Sequence, residues 1–366
     1  MSRWIKKNYK KILLSLVVLF FITGIILYSI PITRYIIRQG YCQAKIILSR
    51  RSMDDMLKDP GLDKKTKDKI LLVGEIKKFG ISLGLNTTDS YKTVYDTGGK
   101  PVVWAVSASP KDKLMPVKWK FPVVGEVPYL GYFKKKDALR MRDKLKSKGY
   151  DTLTRPVQAY STIGILPDPL FSSLLFGGEE GLANTILHEM THETVFVKND
   201  IPFNESMANF VGNVGGVEFL KKKYGQNSKQ VRNSLNIKHD DEVFSGFMAD
   251  LYDELDKFYK SDITKEDKIG DREKIFEKYK DKFRKDLKPR LLTRCFNYFP
   301  RLKLNNAYVL YNRRYHKDYN IFYELYELQG RDLKKTISFL KSIKKEKDIK
   351  AHIQKEVAEL ETRREK

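Results

Sequence analysis

Residues 184–196 read NTILHEMTHETVF. On a helix, His188 and His192 stand four residues apart on one face, so their imidazoles can reach the same ion. Glu189 follows the first histidine and lies beside that site. Zinc acidifies a water to a pKa of about 7. A carboxylate at this place can take the proton, position the oxygen for attack on a peptide carbonyl, and return the proton to the leaving amine. A plainer reading is a buried helix that merely carries two histidines, because H-E-x-x-H is short and recurs by chance. Three features favour the metal. Two of the chain's five histidines fall in the motif. Ile186, Leu187, Val195 and Phe196 make the run apolar, and unpaired histidines are costly to bury. A second helix with its own cap follows at a workable distance. His239, His316 and His352 lie among charged residues and are expected at the surface.

A catalytic zinc takes three protein ligands and keeps one position open, so a third donor is needed downstream. Residues 198–210 read KNDIPFNESMANF. Lys198, Asn199, Asp200 and Pro202 break the first helix, and Asn204 is a candidate cap for the next. Glu205 then falls in the first turn of a helix able to pack antiparallel against the first. Asp200 and Glu218 are weaker alternatives. Asn209, one turn beyond Glu205, is placed to hydrogen-bond the far nitrogen of a ligating histidine, the outer contact that fixes such rings.

The N-terminus reads MSRWIKKNYKK, then ILLSLVVLFFITGIILYSI. Residues 12–30 carry no charge and are long enough for a hydrocarbon core. A core helix normally shows a polar face, and this one has none. A cleaved signal has a shorter apolar region of about 7–15 residues and a small-x-small site, which is not evident here. We expect a single-pass anchor. Lysines and arginines flank it on both sides; the short basic tail before it favours placing the remaining chain on the extracytoplasmic (periplasmic) side.

The formal charge of +24 over 366 residues suits anionic partners in general. The positive charges are scattered, without a basic run interleaved with stacking aromatics, and nucleic-acid binding is not expected. Cys42 and Cys295 lie in no metal-binding spacing, and a disulfide between them is undetermined.

The remaining pattern is α+β, mostly helical with a small embedded sheet, and the zinc site lies between two packed helices behind an N-terminal transmembrane helix. VVWAVSAS (102–109) reads as a strand, FPVVGEVPYLGYF (121–133) as two short strands, and TLTRPVQAYSTIG (152–164) as an extended, edge-type segment. Helices are expected over 64–83 and 134–148, and almost everything after Lys222 is helical and charged. The divisions are a basic tail 1–11, an anchor 12–30, a metallopeptidase domain 33–340 and a charged helical tail 341–366.

The order AYST (159–162), DP (168–169), HEMTHE (188–193), FNES (203–206) and LNNA (304–307), with VVWAVSASP and WKFPVVGEVPYLGYF, resembles a bacterial family described as predicted aminopeptidases. The resemblance runs from about Gly40 to Asp332. It implies an α+β metallopeptidase related to the gluzincins, with His188, His192 and Glu205 on one Zn2+ per chain and Glu189 as catalytic base. Two departures stand out. Cysteines that flank the FPV-G segment in the family pattern are replaced by Lys120 and Glu126. Gly212 occupies a place where an acidic residue is common, which puts more weight on Glu205. For the oxyanion donor, Tyr160 is the first candidate and Tyr132 the second. Asn305 and Asn306 either bind substrate backbone or cap the helix after them. The carboxylate that an aminopeptidase uses to hold a substrate amine is not identifiable; Glu179 and Glu180 read as ordinary dipole partners of a first helical turn. The expected activity is hydrolysis of peptides or proteins by an aminopeptidase. The alternatives are an endopeptidase processing envelope proteins and a non-catalytic, zinc-stabilised binding or structural protein.

Overall fold

The computed structural model describes residues 2–86, 89–121, 125–157, 166–316, 319–346 and 348–364. Two units separate, 1–50 and 51–366. The first holds α1 (Ser2–Ser29) and α2 (Pro31–Leu48), which begins on a proline whose missing N–H costs nothing at that position. Within α1 the apolar window Asn8–Ile26 is long enough to cross a bilayer, and none of it is buried.

The second unit begins with β1 (Arg51–Ser52), α3 (Met53–Lys58), α4 (Lys64–Ser82), β2 (Thr93–Tyr95), β3 (Val103–Ser109), β4 (Trp119–Phe121), β5 (Gly125–Val127) and β6 (Leu130–Tyr132). There follow α5 (Lys135–Ser147), β7 (Asp151–Val157), β8 (Leu170–Phe171), α6 (Ser172–Leu175), α7 (Glu179–Thr194), α8 (Ile201–Tyr224), α9 (Lys229–Tyr259) and α10 (Lys265–Lys282). The chain ends with α11 (Asn306–His316), α12 (Tyr319–Leu328), α13 (Leu333–Ser342) and α14 (Ile349–Arg364). The class is α+β with small sheets. β7 is an edge strand, antiparallel to β3 from Val103↔Val157 to Ser109↔Asp151, and β6 covers the other side of β3. β1, β2 and β8 form a second three-stranded sheet, and β4–β5 a two-stranded ribbon.

Two apolar cores account for the packing. One joins α4, α7, α8 and the C-terminal helices through Ile76, Ile186, Leu187, Phe203, Phe210 and Phe322, all nearly or fully inaccessible. α14 contributes Ile349, Ile353 and Val357 to it. The other is aromatic: Phe244, Phe247, Phe283 and Phe299 meet edge to face or tilted between α9, the end of α10 and the loop before α11, the arrangement that ring quadrupoles favour. The sheet is joined to these helices by polar contacts. Arg272 on α10 forks onto Asp151 at 2.6 and 3.2 Å, both side chains being buried. Asn306 donates its backbone N–H to Asp151 and its amide to the Pro110 carbonyl, and accepts from Tyr259 Oη at 2.8 Å. The LNNA asparagines are therefore structural. Asn306 is fully buried, and Asn305 caps α11 by accepting from Tyr308 N at 3.0 Å.

Candidate metal centre

α7 places Ile186, Leu187 and Met190 in the core and turns His188 and His192 toward α8. Their Nε2 atoms lie 3.1 Å apart, with the rings edge to face at 4.8 Å between centroids. Glu205 reaches into the same space. Its Oε2 is 3.5 Å from His188 Nε2 and 4.0 Å from His192 Nε2. One donor atom from each of the three residues falls within 4.8 Å of the others, so the cluster could hold a metal ion. Four-coordinate zinc, with bonds of about 2.0–2.1 Å, sets its ligand atoms about 3.4 Å apart, close to the spacing here. Two imidazole nitrogens at 3.1 Å satisfy each other only if one proton lies between them, whereas a cation satisfies both and the carboxylate together. The donor set of two imidazoles and a carboxylate fits zinc.

The second helix begins differently from its sequence expectation. Its N-cap is Asp200, which accepts from Phe203 N at 3.1 Å, with Pro202 in the first turn. Asn204 lies inside the helix and grips the preceding loop by accepting from Val197 N at 2.8 Å and donating to Val197 O at 2.7 Å. The cap moves four residues upstream because the proline favours the first turn and Asp200 supplies the acceptor. The shift leaves Glu205 one turn into α8, facing α7. It also separates the alternative ligands from the cluster: Asp200 serves as the cap, and Glu218 accepts from Tyr326 Oη at 3.0 Å.

The close approach of α7 and α8 depends on a small residue. A Cβ at Gly212 would lie 2.8 Å from the Asn184 carbonyl oxygen and 3.3 Å from His188 Cβ. The acidic side chain common at this place in the resembling family has no room. The loop between the helices is held from the ribbon side. Asn199, itself at φ 66°, accepts from Glu126 N at 3.2 Å and lies where a Cβ on Gly125 would fall. Lys120 and Glu126, in the places of the family's cysteines, face each other across the β4–β5 ladder.

Electrostatics divide the site's groups. Burial, backed by His188, lowers His192 to about 4, which keeps its imidazole neutral and available as a donor. Burial also lowers His188, but its hydrogen bond to Glu205, the nearby Glu189 and Glu205 charges and a hydrogen bond to Asn209 outweigh it, and the net direction is up. Asn209 thus makes the outer contact to the first histidine. His192 Nδ1, in contrast, is buried with no partner among the described residues. Burial pushes Glu189 up to about 7 against the opposing pull of His188, with Glu205, Asp168 and Glu193 adding to the rise. Asp168 is almost wholly buried beside this group. Its DP dipeptide carries part of the family resemblance, but nothing in its spacing ties it to Glu189.

Tyr160 lies outside the described residues, and Tyr132 is buried on β6 opposite Trp104. Cys42 and Cys295 are both free thiols. His239 and His352 are exposed, as their charged surroundings imply.

No curated protein and no solved structure matches the chain. Residues 34–355 match the model of a family described as "Putative aminopeptidase". The match takes in the helix pair, the sheets and both cores, and the chain belongs to that family.

Proposed function

We propose that the protein is a membrane-anchored zinc metallopeptidase of the gluzincin type, acting as an aminopeptidase on the extracytoplasmic side. The basic tail 1–11 and anchor 12–30 precede a catalytic domain over 33–340 and a charged tail over 341–366. His188, His192 and Glu205 hold one zinc ion; the convergence of these three donors carries the reading. When bound, the ion supplies Lewis-acid polarisation of a peptide carbonyl and of water. Glu189 is the general base. Its buried carboxyl lies beside His188 and Glu205, where it can accept a proton from the attacking water and deliver it to the departing amine. His192, kept neutral by burial, retains its lone pair. Asn209 orients His188 from behind. Tyr160 is the oxyanion donor, and an extended substrate pairs with the 152–162 segment as an added strand.

The test is the metal content of the full chain in mild detergent, as wild type and as Glu205→Gln. The expected outcome is about one zinc per chain in wild type and loss of most of it in the variant. A wild type that retains none after zinc is supplied and excess washed away sinks the hydrolase reading. Peptides with free and blocked amines then separate the exopeptidase from the endopeptidase, since only the latter cuts a blocked substrate.

A further inference from the structure

A cavity of about 360 Å³ lies between α7, α8, α9 and α11. Its inner wall stands one helical turn from the ligands His188 and Glu205. Asn209, which hydrogen-bonds His188, lines it, as does Asn184 one turn before that histidine on the same face of α7. Its far wall is Asp241 and Phe244 on α9, with Phe296 and Tyr298 from the loop before α11. Phe244 and Phe296 stack at 4.0 Å with 10° between planes, and Tyr298 is half exposed at the rim.

Asp241 is the anomaly. It is partly buried, and no hydrogen-bond donor or cation among the described residues pairs with it; burial and the neighbouring Asp240 and Glu242 push it up to about 7. Asp240, next to it, is fully committed, accepting from Leu292 N, Thr293 N and Thr293 Oγ1. Lys238 lines the cavity too, but its ammonium is 3.2 Å from Glu242 and lies over the Tyr323 ring at 4.8 Å. Glu180 adds a second carboxylate to the lining. A partly buried carboxylate without a cation of its own, beside aromatic rings, suits an organic cation: a counter-charge at one end and apolar or aromatic surface along its length.

We propose that this cavity is the subsite for a positively charged group of the substrate, with Asp241 as its counter-ion and Phe244, Phe296 and Tyr298 as its walls. The proposal rests on the peptidase reading for the word substrate. The cation is either the α-ammonium of an N-terminal residue or the side chain of lysine or arginine next to the bond that is cut.

Binding separates these sources without requiring turnover. Calorimetry on the full chain, as wild type and as Asp241→Asn, would use three probes: norleucinamide, with only an α-ammonium; N-acetyl-lysinamide, with only a side-chain cation; and N-acetyl-norleucinamide, with neither. Wild type is expected to prefer one of the cationic probes over the neutral one by about tenfold or more, and Asp241→Asn to erase most of that preference. Whichever cation wins names the source. Equal affinity of wild type for all three overturns the proposal, whatever the variant does. A preference that survives Asp241→Asn in a variant with native melting behaviour overturns it as well. Selective binding of a cation by a protein that cuts no peptide keeps the subsite and rejects the peptidase reading; cleavage without cation preference does the reverse.

Discussion

Glu189 and Glu205 share chemistry, are both close to His188, and are expected to answer substitution differently. Glu205 converges on both histidines, whereas Glu189 is not part of the three-donor cluster. Glu189→Gln is therefore expected to keep its zinc and to lose peptide turnover by about 10²–10⁴-fold, the usual contribution of a general base. Metal analysis beside a cleavage assay checks both halves, and a variant with wild-type turnover removes the base assignment. Asp241 makes a second, independent statement. Its carboxyl is raised from an unfolded value of about 3.9 to about 7. The native chain therefore holds this proton more tightly than the unfolded chain, and stability drains away as pH rises through that window and levels off above it. Asp241→Asn should gain clearly more stability over wild type at about pH 8 than at about pH 5. Urea midpoints at the two pH values would show it; a pH-independent difference refutes it.

At the scale of elements, the pairing of α7 with α8 depends as much on a missing side chain as on the ligands. Gly212 lets the Asn184 carbonyl sit where a Cβ would be. Gly212→Ala is expected to push the helices apart, lowering stability by about 1–3 kcal/mol and weakening zinc retention by moving Glu205 from the histidines. Competition with a chelator of known affinity measures the second effect, and retention equal to wild type argues against a spacing role. The H-E-x-x-H helix was legible in its sequence because a four-residue spacing maps directly onto one helical face. The start of α8 was not. Asn204 has the composition of a cap, and only the position of the Val197 loop decides that it grips that loop while Asp200 caps.

At the scale of the molecule, the contact between the sheet and the helical half joins apolar packing by Leu153 to a buried polar cluster. Arg272, Asp151 and Asn306 come from three elements distant in sequence and meet at the Asp151 carboxylate with little access to water. Removing one partner leaves an uncompensated charge, so Arg272→Met is expected to destabilise the full chain by about 3–5 kcal/mol. A concurrent Asp151→Asn should recover part of that loss. Thermal or urea unfolding of the single and double variants tests the coupling, and simple additivity would rule out a shared network. The LNNA asparagines belong to this network, which accounts for a motif whose two sequence readings were substrate binding and capping.

The sequence by itself determined the local elements and the identity of the donors. An uncharged run spans a helix long enough for a bilayer, a four-residue histidine spacing places two imidazoles together, and β-rich segments at 102–109 and 152–164 mark the places where strands form at 103–109 and 151–157. These depend on periodicity, which the chain carries within a few residues. Tertiary structure alone decided where α8 is capped, why position 212 holds glycine, and that Asp241 shares a cavity with Phe244, Phe296 and Tyr298. Each of those facts is a distance between residues far apart in the chain, and such distances are set by how helices pack, not by what any one segment prefers.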